Sequence, residues 1–553
     1  MNFKRSILAP LLVVLAASLS GGWLLQQHPG EEENPARRAR LLDEVIEHLA
    51  DRYVDERSES ELYRMAVEGL LRELGDPHTS FLTAEDYEDL AVQTTGEYGG
   101  LGIEISVRDG WITIISALPD TPAERAGLIA GDRIVEVEGE STEGWSDQDA
   151  VNALRGPKGA PVNISIARPG VNEPIPYRVV RDEIHIHAVP FAYRLSERVG
   201  YLKLTLFSET ATEEIEDAIQ KLRDEGADGL ILDLRQNPGG LLEQGVAVSD
   251  LFLERGETIL EIRSRDPRQN QSFRASTPES HRGLRVVVLV DSYSASAAEI
   301  VAGALQDHDR ALVVGEGGTF GKGSVQTLYP LSGGNFLKLT TGRWYTPAGR
   351  SIQRDHDSDD PALLTAADAH PDGDLSAREP VDTAGRETYQ TDSGRVVYGG
   401  GGIIPDLLVQ SEPDEEEEEF LAWAYRYLTE MEDAAFQQAV ELGRAQPRLS
   451  ADFRVTDAML DDFLRRLAAT GAEPDPEEFA AARDWVERFL SYRIARHRFG
   501  AAVASRRGAE FDQTIQTALN LLENAPDQEA LFAMAKRRGA LDEPSAVPDS
   551  PRE

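Results

Sequence analysis

No cysteine occurs among the 553 residues, which excludes disulfides, thiolate nucleophiles, iron–sulfur clusters and cysteine-held zinc. Lysine is almost as scarce, with 7 of the 56 basic residues against 49 arginines and 97 acids. The formal net charge of −41 denies the chain, as a whole, the basic surface that a phosphate backbone requires, and this argues against nucleic acid as a partner. In so lysine-poor a protein, a lysine set in a glycine-rich loop is less apt to be incidental. There is no internal repeat and no Walker-type phosphate loop.

What is present is an ordinary globular balance, 41% hydrophobic and 28% charged, with length for three or more domains. Lys4 and Arg5 precede an apolar run from Ile7 to Leu25, and acids follow at Glu31 to Glu33. This pattern is an export segment over residues 1–30, either a cleaved signal peptide or a retained membrane anchor. It implies a cell-envelope location, periplasmic or on the outer face of the inner membrane.

Helical periodicity predicts a small helical segment over 37–95, broken at Gly75-Asp76-Pro77. Short β-type runs (IEISV, WITIIS, RIVEVEG, VNISIAR) between glycine turns predict a mostly β module over 96–181, with one helix near Asp147 to Arg155. From Val199 strands and helices alternate, so 182–410 reads as an α/β domain on a largely parallel sheet. Within it, 354–393 is acidic and aperiodic and reads as a surface insertion. The remainder, 411–553, reads as an acidic linker and a helical C-terminal region.

The chemistry concentrates in VLVDSYSASAAEIVAGALQD and, some twenty residues later, VGEGGTFGKGSVQT. The first is a strand, a turn dense in Ser and Ala, and a helix. That junction holds a serine hydroxyl on a rigid frame beside helix amides, although serine is also a common helix cap. A serine nucleophile needs a base. His308 falls on or just past the helix, His281 and His78 are distant, and Lys322 sits between two glycines directly before a β run. Lysine serves as a base only when neutral, so burial or a neighbouring cation must lower its pKa.

These strings, with DLRQNPGG and the β module upstream and TTGRWYTPAGRSIQ and VYGGGGIIPD downstream, closely resemble the carboxyl-terminal (tail-specific) processing peptidases. The likeness spans roughly 37–410, and the β module resembles a PDZ domain. The resemblance implies an α/β multidomain protein: a peptidase core, an inserted PDZ domain, a helical N-terminal segment and a helical C-terminal tail. It assigns Ser296 as nucleophile, Lys322 as base and Gln326 as the residue orienting that lysine. The backbone amides of Ala297 and of Gly239 or Gly240 become the oxyanion hole, and Gly100, Leu101, Gly102 and Ile103 the carboxylate-binding loop. The implied function is an exported serine endopeptidase that recognises protein C-termini through its PDZ domain and cleaves through an acyl-enzyme, without cofactor or metal. Its partners would be protein or peptide substrates with apolar C-termini; a membrane anchor, an adaptor or activator, and an oligomer stay open.

Two departures from the family strings stand out: Ala298 replaces a third serine, and Gly317-Gly318 adds a residue ahead of Thr319. A binding protein with an inactive peptidase domain is the rival reading, and the presence of both Ser296 and Lys322 speaks against it. His185 and His187 alternate on an expected strand; without a third ligand they are read as structural.

Overall fold

The run Arg285–Val290, RVVVLV, is buried along its whole length, as a strand with neighbours on both edges and layers on both faces must be. It lies inside a six-stranded sheet of order Phe191–Arg194, Val199–Lys203, Gly229–Asp233, Arg285–Val290, Leu312–Gly315, Leu407–Leu408. The first pair is antiparallel and every other pair parallel. Period-two alternation divides the side chains between two cores. Leu230, Leu232, Val286 and Val288 pack with Ile215, Ile219, Val301 and Leu305 of the helices Ala211–Asp224 and Ala297–Asp307. Ile231, Val287 and Leu289 pack with Ile515, Ala518 and Leu522 of the helix Gln513–Asn524. The last helices of the C-terminal region thus form the second outer layer of the peptidase core rather than a detached appendage.

The computed structural model describes residues 35–354, 383, 385–409 and 415–539, which form one unit up to Phe81 and a second from Leu82 onward. The expected export segment, most of the acidic insertion (355–382 and 384) and the start of the acidic linker (410–414) lie outside the described residues. Of the insertion, Thr388–Gln390 forms a hairpin with Val396–Tyr398. In the first unit, the helices Pro35–Arg52 and Glu59–Arg72 contain buried Ile46 and Leu62, while Leu41, Met65 and Leu70 are exposed.

In the second unit, the strand Glu97–Gly100 leads into the β module and Asp182–His185 leads out, paired antiparallel as a ribbon. Between them lies a sheet of order Ile103–Arg108, Trp111–Ala117, Arg133–Val137, Pro161–Ala167, Ile175–Val180, over a core including Ile112, Ile114, Ile134, Val162 and Ile164. Its helix Asp147–Leu154 starts with a capping box in which Ser146 and Asp149 exchange hydrogen bonds. The helices between Glu415 and Phe499 hold a fourth core around Met431, Phe463, Leu490 and Ile494. They reach the β module through the Arg108–Asp433 ion pair and through Arg496, which donates to Glu104 at 2.8 Å.

Candidate active site

Strand Arg285–Val290 is followed by Asp291, whose half-buried carboxylate accepts the amides of Gln236, Tyr293 and Ser294 and so folds the serine-rich turn back on itself. Ser296 follows with φ 54° and ψ −113°, a conformation that costs a non-glycine residue about 1–3 kcal/mol and survives only when its surroundings enforce it. The enforcing group is Glu299, three residues on. Its fully buried carboxylate accepts the Ser296 amide at 2.8 Å and the Lys322 amide at 2.9 Å on one oxygen. The other oxygen accepts the Gly321 amide at 2.7 Å and the Thr319 hydroxyl at 2.6 Å. Burial pushes this carboxyl above its ordinary pKa, and the four donors oppose that shift. The two sequence-predicted dyad residues therefore share one carboxylate oxygen through their backbones.

The loop carrying Lys322 is fixed at several further points. Phe320 donates its amide to the Ser294 carbonyl, Thr319 to that of Ile403, and the Lys322 carbonyl accepts Trp344 Nε1 at 3.1 Å. Glycine is required at 321: φ is +93°, and a Cβ there would stand 2.8 Å from that of Arg354. The extra residue at Gly317-Gly318 sits where a Cβ on Gly317 would meet nothing within 4 Å, so the loop absorbs it ahead of the Thr319 anchor. Ala298, the second residue of the helix, is fully buried in the core. Lys322 is half-buried, and desolvation first and the nearby Lys338 cation second lower its pKa, against the opposing pull of Glu299. Two of the seven lysines are thus within electrostatic reach of each other. His308, the base considered beside it, caps the opposite end of the helix, ~16 Å along an eleven-residue axis.

Facing Ser296 is the turn Asn237-Pro238-Gly239-Gly240. A Cβ on Gly239 would come within 2.8 Å of both the Ala295 carbonyl oxygen and Ser296 Cβ, so only glycine permits this approach. The Gly239 amide is already committed to Asn237 Oδ1 at 2.8 Å. The Gly240 residue is exposed, and its amide donates to no protein group among the described residues. Ala297 is the first residue of its helix, so its amide lacks an intrahelical acceptor. Gln326 donates to the hydroxyls of Ser324 (2.9 Å) and Thr340 (3.3 Å); none of its hydrogen bonds among the described residues reaches Lys322.

In the β module, Leu101 and Gly102 follow the ribbon strand, and their carbonyls accept the amides of Ala123 and Leu118. The amides of Leu101 and Gly102 themselves donate to no protein group among the described residues, although both residues are buried. The next strand, Ile103–Arg108, is the edge of its sheet and lies beside the helix Asp147–Leu154. Gly102 has φ +75°, and a Cβ there would overlap Thr121 at 2.4 Å.

Glu299 is the residue that reading from serine and lysine alone overlooks. Its signal was in the string itself, an acid three residues past a helix-capping serine at the start of an otherwise apolar helix.

Residues 198–360 match peptidase family S41, and residues 113–168 match the PDZ domain. A carboxy-terminal-processing protease of Bartonella bacilliformis is 39% identical over 350 residues, 63% of this chain and 78% of that protein. The carboxyl-terminal-processing protease of Synechocystis is 37% identical, covering 57% of this chain and 75% of its own. Carboxy-terminal processing protease CtpA of Bacillus subtilis is 35% identical, covering 57% and 66%. Among solved structures, a photosystem II D1 C-terminal processing protease aligns at 30% identity with a TM-score of 0.34, over 57% of this chain and 89% of that one. By the two domain matches and the identity to the Bartonella protease, the chain belongs to peptidase family S41, as a serine-type carboxy-terminal processing protease that carries a PDZ domain.

Proposed function

We propose that the protein is an exported endopeptidase that binds substrates by a free, apolar C-terminus and cleaves them with a Ser296–Lys322 dyad. The observation that carries the dyad is the shared Glu299 oxygen, which ties the backbones of the two residues to one point, while burial and Lys338 favour a neutral Lys322. Neutral Lys322 takes the Ser296 proton as Oγ attacks the scissile carbonyl. The amides of Gly240 and Ala297 stabilise the oxyanion, with Gly240 preferred to Gly239 because the latter's amide is spent on Asn237. Protonated Lys322 delivers its proton to the leaving amine, and once neutral again it activates the water that hydrolyses the ester. Gln326 acts one step back, bracing through Ser324 and Thr340 the strand that begins after Lys322.

Substrate choice rests on the β module. The amides of Leu101 and Gly102 offer donors to a terminal carboxylate, and the edge strand Ile103–Arg108 offers main-chain pairing to the residues before it. An envelope location rests on the Lys4-Arg5 flank and the apolar run behind it. The test is cleavage of an unfolded protein with a free apolar tail by wild type, Ser296→Ala and Lys322→Ala. Both variants should be inactive with unchanged circular dichroism. Substantial turnover by either would end the dyad assignment.

A further inference from the structure

The root of the PDZ domain carries a cluster that the peptidase reaction does not use. His185 ends the outgoing ribbon strand, and His187, two residues on, is close enough for the rings to meet edge-on at 4.7 Å between centroids. Facing them is Glu214, in the first turn of the core helix Ala211–Asp224. His185 Nε2 lies 2.9 Å from Glu214 Oε1, and His187 Nδ1 lies 3.5 Å from Oε2. One ligating atom from each of the three residues lies within 4.8 Å of the others. The third ligand missing from the sequence pattern thus comes from another element.

The support around these atoms fits a metal centre. Glu214 is held by the Val189 amide at 2.9 Å and the Thr210 hydroxyl at 2.8 Å, which fix its carboxylate before any ion arrives. Behind His185, its Nδ1 faces Glu97 at 3.7 Å, the placement of a carboxylate that orients a ligating imidazole from its far side. Glu97 is the direct cross-strand partner of His185 in the ribbon. The other His and acid cluster makes the contrast. His308 points Nε2 at the Thr258 carbonyl and Nδ1 at Asp392, both at 2.7 Å, so with Glu257 that cluster offers one imidazole where this one offers two. At His185 and His187 no backbone carbonyl claims a ring nitrogen among the described residues.

We propose that His185 Nε2, His187 Nδ1 and the Glu214 carboxylate bind one Zn²⁺, with solvent completing the tetrahedron. Two imidazoles and a carboxylate are a donor set that suits zinc among the divalent cations, and hard Mg²⁺ or Ca²⁺ would favour an all-oxygen site. The two carboxylates Glu214 and Glu97 offset the charge of the ion. Because His185 belongs to the ribbon through which the chain enters and leaves the PDZ domain, and Glu214 to the peptidase core, the ion pins the module at its root. The partial positive charge of the helix start beside Glu214 works against a cation, and the carboxylates must overcome it.

The full chain, made without a histidine tag and treated with chelator, is titrated with Zn²⁺ in millimolar Mg²⁺, which occupies weak sites among the surface acids. Cobalt replaces zinc in a parallel titration, reporting tetrahedral coordination through visible absorption. One equivalent should bind, with a cobalt spectrum of tetrahedral intensity. His187→Ala, at a side chain 66% exposed and so safe for folding, should weaken binding by more than tenfold, and Glu97→Gln by about tenfold or more. Asp392→Asn should leave binding unchanged. Failure of wild type to bind stoichiometrically, or equal binding by His187→Ala, would overturn the proposal.

Discussion

Replacing Glu299 by glutamine changes only one oxygen to an NH2 group, yet it forces a choice on the site. The carboxylate accepts four hydrogen bonds, two on each oxygen; an amide keeps two and turns its NH2 against the other two donors. Bonds to a charged acceptor contribute about 1.5–3 kcal/mol each, so the gross loss is about 3–6 kcal/mol. A neutral amide also escapes the cost of burying charge, which returns several kcal/mol, and the net fall in unfolding free energy should be about 1–3 kcal/mol. The effect on catalysis should be larger than the effect on stability. Freed from its acceptor, Ser296 can relax from φ 54° toward a common conformation, or the Lys322 loop can move away. A displacement near 1 Å costs about 10²-fold in rate. The assays are urea unfolding by circular dichroism and steady-state cleavage of a tail-bearing unfolded substrate. We expect kcat to fall about 10²-fold with KM little changed, because the PDZ contacts are untouched. Wild-type kcat in Glu299→Gln would refute the argument that this carboxylate holds the nucleophile and base in register.

Lys322→Met should stabilise the protein at neutral pH while abolishing cleavage. The folded-state pKa of Lys322 lies below its usual 10.5, so the unfolded chain holds more protons between the two values. The burial cost is therefore full below that window, and the advantage of Met over Lys, read from urea midpoints, should shrink as pH rises through it toward 10.5; a pH-independent difference would contradict the sign. His281 is buried with neither ring nitrogen hydrogen-bonded, and burial lowers its pKa from 6.5 to about 4. Stability should thus drop by roughly 3 kcal/mol as pH falls from 6.5 to 4, and His281→Leu should remove that component from the pH profile of unfolding. Gly102→Val, which must displace Thr121, should raise KM for substrates with a free apolar tail and leave amidated substrates unaffected. Equal effects on both would detach the loop from C-terminal recognition.

The sequence disclosed the central sheet because strands buried on both faces read as continuous apolar runs, as RVVVLV does. It marked Ser296 and Lys322 as candidates because their strings are short and local and so can be matched to a family's strings. It did not disclose the role of the last helices, since the face that Ile515, Ala518 and Leu522 cover lies more than two hundred residues upstream and amphipathic periodicity says nothing of the partner. At the PDZ root His185 and His187 were legible as a pair, but the contact with Glu214 crosses from a strand to a helix of the next domain, which spacing along the chain does not show. At Gly239 and Gly240 the glycines were visible, whereas the commitment of one amide to Asn237 depends on a turn geometry that spacing cannot give.

The central claim is covalent catalysis by Ser296 under the action of Lys322, and its most direct measurement is the mass of the enzyme itself. Wild type and Lys322→Ala are mixed with excess substrate, quenched in acid during turnover, digested and analysed by mass spectrometry. The account predicts a substrate acyl group esterified to Ser296 in wild type and none in Lys322→Ala. An acyl group on a different residue, or an undiminished Ser296 ester in the lysine variant, would contradict it.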